Sequence, residues 1–346
     1  MTLPSDQSRP LSVGVIGVGH LGSHHARIYN QLAGCALTAV FDIDPERNAG
    51  ASRQYGLPQC SGLDDFLQRV GALSVCTPTE THFAIARTAI EHGRHILIEK
   101  PICDSDDDAQ TLVELAQKQG VVGAVGHVER FNPAVTGARE RIGRPRFIEA
   151  HRLNQFAPRC LETNVILDLM IHDIDLVRWL VGAEPAEIRA AGVPVLSNTD
   201  DIANCRMAFP DGCIANLTAS RISATPMRKI RVFSHDHYSS FDLAAKSVDS
   251  YRLFGAESRS DDAEYRTIAQ MAGRRIARWS APAPVYDALE AELADFRDAI
   301  VAGQSPRVDL AEAAKSLTVA LAVARACREQ AATAAAPSLV GATSEP

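Results

Sequence analysis

With 346 residues the chain has room for two domains of roughly 150 residues each and a sizeable core, which excludes a peptide-scale or disulfide-stapled scaffold. Its 46% hydrophobic and 22% charged residues are ordinary for a globular protein, and 35 basic against 42 acidic side chains, a net charge of −7, lack the basic excess that a nucleic-acid partner demands. The opening MTLPSDQSRP is polar, unlike a secretory signal, and no run is apolar for long enough to span a bilayer. Eight cysteines, at 35, 60, 76, 103, 160, 205, 213 and 327, form no CxxC pair, so a reducing cytoplasm is expected.

From Leu11 short β-branched runs alternate with helical patterns: LSVGVIGVG, then a helix to Gln31; CALTAVFDID, then a helix from Pro45; LSVCTP, then THFAIARTAIEHG; RHILIEKP, then DSDDDAQTLVELAQKQG; finally VVGAVGH. Apolar strands separated by helices of this length predict a parallel sheet covered on both faces. Asp104 and Asp106 to Asp108 favour the positive end of a helix, and Gly120 is placed to end that helix as a C-cap. After Asn132 the rhythm changes. RFIEAHRLNQF, AEIRAAGVPV, DDIANCRMAF, CIANLTASRI, KIRVFSHDHY and SSFDLAAKSVDSYRL alternate as strands do, around one helix at DLMIHDIDLVRWLVG. NCRMAF-PDG-CIANLT reads as a hairpin through its Pro-Asp-Gly turn, so the second sheet is mainly antiparallel with a helix on one face. Gly255 to Pro284 is polar and reads as a loop or excursion. YDALEAELADFRDAIVAG and DLAEAAKSLTVALAVARACREQ read as helices, and the residues from about Ala332 as a frayed tail.

Gly17-Val18-Gly19-His20-Leu21-Gly22 fits GxGxxG between an apolar strand and a helix, followed by a second strand ending in Asp42, which is the context of a dinucleotide-binding loop. The first glycine permits a tight turn, the second lets backbone approach a pyrophosphate, and the third lets helix pack closely on strand. Free amides at the helix start then face the phosphate oxygens. Asp42 is placed for the adenosine ribose hydroxyls and would repel a 2′-phosphate, so NAD is expected over NADP, although Arg47 could fold back to a 2′-phosphate. His20, His24 and His25 lie at the positive end of this helix, a poor place to gather a cation. His235 and His237 form an HxH pair in an expected hairpin turn without a third ligand, and no metal is expected.

Cys76-Thr77-Pro78-Thr79-Glu80-Thr81-His82, counted as the end of the fourth strand, and Glu99-Lys100-Pro101, counted as the end of the fifth, fall on the carboxyl edge of the sheet, where ligands of doubly wound folds sit. TPxxxH followed by EKP, after GxGxxG and ahead of an antiparallel domain, resembles the glucose-fructose oxidoreductase, inositol dehydrogenase and rhizopine catabolism family (Gfo/Idh/MocA) from Val13 to Arg328. The resemblance implies an α/β NAD(P)-dependent oxidoreductase of CH–OH groups: an N-terminal Rossmann domain over 11–130 and a C-terminal α+β domain on a mainly antiparallel open sheet over 131–331. It implies a homodimer or homotetramer, and cofactor contacts at Gly17, Gly19, His20, Leu21, Gly22, Asp42, Thr77, Pro78, His82 and Glu99.

Lys100, at a strand end beside a nicotinamide, can give a hydrogen bond and positive charge to a substrate oxygen as alkoxide character develops, and its family counterpart is a catalytic lysine. Asp168 and His172, spaced i and i+4 in a predicted helix, share a face, and a carboxylate that orients an imidazole suits a general base for a secondary alcohol. They match the family's DxxxH motif, with Leu167 and Ile171 standing where the family often has glycine; Asp173 and Asp175 read as solvated or capping residues.

Gly126 to Pro133, after what is counted as the sixth strand, resembles the family's segment between the two domains. Arg130, Asn132, Arg152 and Arg159 are candidate substrate contacts, with Arg221, Arg228 and Lys229 as further cations for a diphosphate. Within the family, GHVERFNP, HRLNQFAPR and ILDLMIHDIDLVRWL look most like bacterial nucleotide-sugar 3-dehydrogenases. That implies a sugar such as UDP-N-acetylglucosamine, and a functional link to a pyridoxal-phosphate aminotransferase that turns the 3-keto product into a 2,3-diamino sugar for lipid A. A cyclitol or simple-sugar dehydrogenase is the alternative enzyme. A non-catalytic NAD-binding sensor is the alternative of another class, and such a sensor has no need of Lys100, Asp168 and His172 together.

Overall fold

The computed structural model describes residues 9–156, 163–255, 264–281 and 285–335. They fall into two compact units, one drawn from Met1–Pro133 and Pro284–Leu317, the other from Ala134–Ala283 and Thr318–Pro346. Where the sequence suggests one continuous second domain over 131–331, the chain returns to the first unit for the stretch before Leu317.

The first unit runs β1 (Leu11–Ile16), α1 (His20–Tyr29), β2 (Cys35–Phe41), α2 (Pro45–Tyr55), α3 (Leu63–Gln68), β3 (Ala72–Val75), α4 (Thr79–Glu91), β4 (His95–Glu99), α5 (Asp106–Gln119) and β5 (Gly123–Gly126). The strands form a parallel sheet in the order β2-β1-β3-β4-β5. Only helices α2 and α3 lie between β2 and β3, so the TPxxxH segment follows the third strand rather than the fourth, EKP the fourth, and GHVERFNP the fifth. The central strands carry apolar residues to both faces because helices cover both, and Val13, Val15, Leu73, Val75, Leu97 and Ile98 are fully buried. From β1 the chain turns out to β2 on one side and comes back to β3 on the other, and at such a reversal a crevice opens beyond the carboxyl ends of the strands. Gly120 ends α5 in the left-handed conformation, as expected, with φ of 65°. The acidic run occupies the first turn of α5, while the cap is Ser105, whose hydroxyl accepts from the Asp108 amide at 3.2 Å.

A 3₁₀ turn (Val128–Phe131) and α6 (Pro133–Ala138) lead to β6 (Phe147–Leu153). A π-helical turn (Ile166–Met170) runs into α7 (Ile171–Val181). Then come β7 (Glu187–Val193), β8 (Ile202–Ala208), β9 (Ile214–Ser220), β10 (Met227–Phe233), β11 (His237–Asp242), β12 (Ser247–Phe254), β13 (Arg266–Met271) and β14 (Arg274–Ala281). Their order is β13-β14-β12-β11-β10-β6-β9-β8-β7, with β6 and β9 parallel and the other pairs antiparallel. The Pro-Asp-Gly hairpin joins β8 to β9, with Gly212 at φ of 84°. His235 lies in the turn between β10 and β11. The stretch read as a loop after Gly255 holds the β13–β14 hairpin instead. Strand β13 is exposed along its whole length, so it carries none of the apolar alternation that betrays a half-buried strand. Alternate residues of β6, β8 and β9, among them Ile148, Met207 and Leu217, pack in one core with Ile171, Ile174 and Val177 of α7.

Two helices close the described chain, α8 (Ala288–Ala302) and α9 (Leu310–Ala335). Leu293 and Phe296 of α8 join the core of the first unit, while Val319, Ala320 and Val323 of α9 join that of the second. The expected tail begins inside α9, and from residue 336 it lies outside the described residues. Among the described residues no helix is long and apolar enough to cross a membrane.

In the second unit the loop after β7 is pinned by one carboxylate. Asp201, fully buried, accepts from the backbone amides of Val195, Leu196 and Ser197 at 2.7, 2.6 and 3.0 Å and from the Ser197 hydroxyl at 2.9 Å. Burial pushes this carboxyl up, but the four donors outweigh it and hold it down to about 2. A carboxyl depressed on folding stabilises fully above its unfolded value, near ~4, and loses that contribution as pH falls toward the folded one. Asp201→Asn should therefore cost about 1–3 kcal/mol at pH 7, the scale for leaving buried donors without an acceptor. In thermal unfolding the gap to the wild type should narrow as the medium is acidified below pH ~4; a gap that stays constant into acid contradicts the assignment.

Candidate functional site

The glycine loop ends β1 and starts α1 under steric limits that can be measured. A Cβ on Gly17, whose φ is 81°, would lie 2.7 Å from the Cys76 carbonyl oxygen, and one on Gly22 would lie 1.8 Å from the Gly17 carbonyl oxygen. Both glycines are demanded by the protein's own backbone. Gly19 differs: its Cβ would meet nothing within 4 Å, so the space beside it is left for something outside the chain. Gly19 is also the N-cap of α1 and makes no side-chain cap, which leaves the first amides of the helix turned outward.

A cavity of about 570 Å³ lies at the carboxyl ends of β1, β2 and β3, lined among others by Gly17, Gly19, Asp42, Arg47, Thr77 and Pro78. Asp42 is buried at its edge. One carboxylate oxygen accepts from the Val18 amide and the other from the Asp44 amide, both at 2.9 Å, so this side chain ties the glycine loop to the end of the second strand. Arg47 is 3.4 Å from Asp42 and 3.4 Å from Asp44, where two carboxylates hold it. The exposed Ile43, with Leu63, gives the cavity an apolar flank. Phosphate-facing amides, a vacant Cβ position and a carboxylate near a ribose-sized space fit a dinucleotide. Cys76 also lines the cavity, but burial and then the charge of Glu99 push its thiol well up, so it stays protonated and inert.

The remaining expected cofactor residues are placed differently. His20 and Leu21 are exposed on the first turn of α1. His82 is buried, its ring nitrogens 2.9 Å from the Pro101 carbonyl and 2.8 Å from the Thr77 carbonyl, so it braces the TPxxxH loop against the EKP loop. Glu99 is buried too. His25 lies 3.0 Å from one of its oxygens, and the Lys100 amide donates to the other at 3.2 Å. Burial pushes the Glu99 carboxyl up, but the His25 hydrogen bond, the His25 charge and the Lys100 charge together leave it below its ordinary value. The sequence reading weighed His25 only as a metal ligand. The signal for its actual place was Glu99 itself, an acid ending the apolar strand HILIE, which needs a buried donor.

In the second unit, Asp168 sits in the π-helical turn and His172 in the first turn of α7; both are half-buried between the buried Met170, Ile171 and Asp173. The Asn164 carbonyl accepts from the Asp168 amide at 3.0 Å, and the Asn164 side chain accepts from Ile166 at 2.8 Å and donates to Asp200 at 3.0 Å. Widened turns of this kind recur at functional sites. Asp173 and Asp175 are buried rather than solvated. Asp173 receives Arg152 at 2.7 and 3.1 Å, so Arg152 is committed to an internal ion pair. Arg221, expected as an available cation, is buried and donates to the Thr163 and Asp200 carbonyls. Arg228 and Lys229 are exposed on β10, and Arg159 lies outside the described residues. In the first unit Arg130 is buried 3.9 Å from Glu312, and Asn132 donates to Glu129 at 2.9 Å.

The profile of an oxidoreductase family with an NAD-binding Rossmann fold, Gfo/Idh/MocA, matches residues 11–127, and the C-terminal domain profile of the same family matches 137–236. The chain belongs to that family and is an oxidoreductase that uses NAD. It is 39% identical over 314 residues to the UDP-N-acetylglucosamine 3-dehydrogenase of Acidithiobacillus ferrooxidans, covering 90% of this chain and 96% of that one. A solved structure of that enzyme superposes with a TM-score of 0.83 at 37% identity, covering 92% of this chain and 98% of that one. The scyllo-inositol 2-dehydrogenase (NAD(+)) of Bacillus subtilis is 30% identical over 60% of this chain and 67% of its own length. Levoglucosan dehydrogenase, solved with NADH and levoglucosan, shares the fold at a TM-score of 0.80 and 20% identity, over 93% of this chain and 98% of that one.

The two kinds of glycine separate in experiment. Gly19→Ala should melt within about 2 °C of the wild type, since the new methyl meets no protein atom, yet lose at least about tenfold in NADH affinity by fluorescence titration. Gly22→Ala should lose both stability and binding. Wild-type NADH affinity in Gly19→Ala would move the pyrophosphate elsewhere. Asp42→Ala should weaken NAD binding and narrow its advantage over NADP, and a wild-type preference for NADP would refute the role given to this carboxylate.

Proposed function

We propose that the protein oxidises the 3-hydroxyl of UDP-N-acetylglucosamine to the 3-keto sugar nucleotide. The observation that carries this reading is the end-to-end likeness to the Acidithiobacillus enzyme, joined to the presence of Lys100, Asp168 and His172. When bound, NAD supplies the acceptor for the hydride that leaves the sugar carbon. Lys100 donates a hydrogen bond to the substrate oxygen and stabilises its growing negative charge. His172 takes the hydroxyl proton, and Asp168, four residues earlier, orients the imidazole. His82 and Asp42 act by holding loops, His82 through the Thr77 and Pro101 carbonyls and Asp42 through the Val18 amide, with Asp42 also facing the ribose. Arg228 is an exposed cation for the diphosphate, next to Lys229, which is paired with Asp242 at 3.4 Å, while Arg130, Asn132 and Arg152 shape the substrate side through their own buried pairings. Oxidation of a secondary alcohol by NAD is uphill at neutral pH, so an aminotransferase that consumes the ketone completes the reading, as does assembly into a homodimer or homotetramer in the cytoplasm. The inositol dehydrogenase relatives keep a cyclitol as the second substrate class.

The purified protein, coupled to a pyridoxal-phosphate aminotransferase with glutamate, should convert UDP-N-acetylglucosamine to a diamino sugar nucleotide visible by mass spectrometry. Turnover of myo-inositol with no nucleotide-sugar product would give the site to cyclitols. Lys100→Ala and His172→Ala should each lower kcat by about 10² or more with NADH affinity nearly unchanged. Near-normal turnover in His172→Ala would transfer the base role to Lys100.

A further inference from the structure

Behind the EKP loop the first unit buries a file of four polar side chains from three elements. Tyr29 and His25 stand on α1, Ser74 on β3 and Glu99 at the end of β4, and all four are buried. The Tyr29 hydroxyl is 3.0 Å from the Ser74 hydroxyl, Ser74 is 3.0 Å from His25 Nδ1, and His25 Nε2 is 3.0 Å from Glu99 Oε1. Glu99 Oε2 accepts from the Lys100 amide at 3.2 Å. The carboxylate is boxed in as well: a Cβ on Gly126 would come within 2.8 Å of its carbon and both oxygens.

An ionised carboxylate only accepts, so His25 Nε2 donates to it, while the Ser74 hydroxyl, which can both donate and accept, links His25 Nδ1 to the Tyr29 hydroxyl. Burial pushes the Tyr29 phenol far above its ordinary value, so it keeps its proton. Apolar residues would fill this space without the cost of desolvating four polar groups. A continuous file of hydrogen bonds that ends on the backbone of Lys100 gives these groups a different use. The same short helix starts at the amides that face a dinucleotide phosphate, so one rigid element both seats the cofactor and holds the lysine loop.

We propose that His25 is a positioning residue for the reaction: backed by Ser74 and Tyr29, it locks the Glu99 carboxylate and thereby the backbone from which Lys100 reaches the substrate oxygen. This rests on the catalytic reading of Lys100. A misplacement of about 1 Å can cost ~10² in rate, so a loss of about tenfold to a hundredfold is the expected scale.

The test measures kcat, KM, NADH affinity by fluorescence and melting temperature in the intact enzyme, using whichever of UDP-N-acetylglucosamine and myo-inositol the wild type oxidises. His25→Leu should lower kcat on that scale while KM and NADH affinity stay within about threefold. His25→Gln, which keeps a donor toward Glu99, should restore most of the loss. The decisive measurement is a double-mutant cycle. If His25 acts through Lys100, then in a Lys100→Met background neither His25→Leu nor Glu99→Gln lowers kcat further. Losses that multiply in the double variants overturn the proposal, as does a folded His25→Leu enzyme with wild-type kcat. Should His25→Leu fail to fold, the Glu99→Gln cycle decides by the same criterion. Wild-type kcat in Lys100→Met alone removes the catalytic reading of Lys100 and the positioning role with it, whereas a Lys100-dependent enzyme with multiplying losses removes only the role of His25.

Discussion

The contact between Gly22 and the Gly17 carbonyl is closer than any side chain allows, and the first unit is organised around it. Because α1 presses against the turn it springs from, its first amides are held at the carboxyl edge of the sheet, and a buried face further along the helix is carried against β3 and β4. The phosphate-facing end and the His25 contact with Glu99 are thus two consequences of one backbone approach. Gly19 stands between these two crowded glycines with open space beside it, so the loop distinguishes what the fold needs from what a ligand needs.

Buried carboxylates serve as anchors in both units, each with partners suited to its surroundings. Asp42 and Asp201 are held chiefly by backbone amides, which are fixed by the chain and add no second charge to desolvate. Asp173 takes a guanidinium, Arg152, and such a pair is costly to break from one side because the survivor stays buried and charged. Glu99 takes an imidazole with a further hydrogen-bonded file behind it. In each case the acid immobilises a loop or a helix start, so the precision of the site derives from buried polar pairs in addition to apolar packing.

The start of α7 is governed by backbone accounting as well. The chain opens a π-helical turn at Ile166–Met170, where the Ile166 amide donates to the Asn164 side chain and the Asp168 amide to the Asn164 carbonyl, while Arg221 and Asp200 fasten the residues before it. Two cations that look available in the sequence, Arg152 and Arg221, are spent on internal structure, and Lys229 lies 3.4 Å from Asp242 on the neighbouring strand, beside the exposed Arg228.

The sequence alone determined the parallel sheet, the glycine loop with its acidic partner Asp42, the caps at Gly120 and the Pro-Asp-Gly hairpin, because each depends on periodicity or on conformations that few residue types adopt. It also carried the TPxxxH, EKP and DxxxH motifs, whose spacing is local. It concealed the β13–β14 hairpin, since an exposed edge strand shows no alternation, and it gave no sign of the short helix Leu63–Gln68 ahead of the third strand. It gave no sign of the return of the chain to the first unit after Pro284. Partners separated by tens of residues were beyond it altogether: His25 with Ser74 and Glu99, His82 with the Pro101 carbonyl, Arg152 with Asp173 and Arg221 with the Thr163 carbonyl were decided by tertiary structure alone. The reason is physical. A buried polar group must find its donor or acceptor somewhere, and composition states that obligation, but only the packing of elements distant in the chain decides which group discharges it.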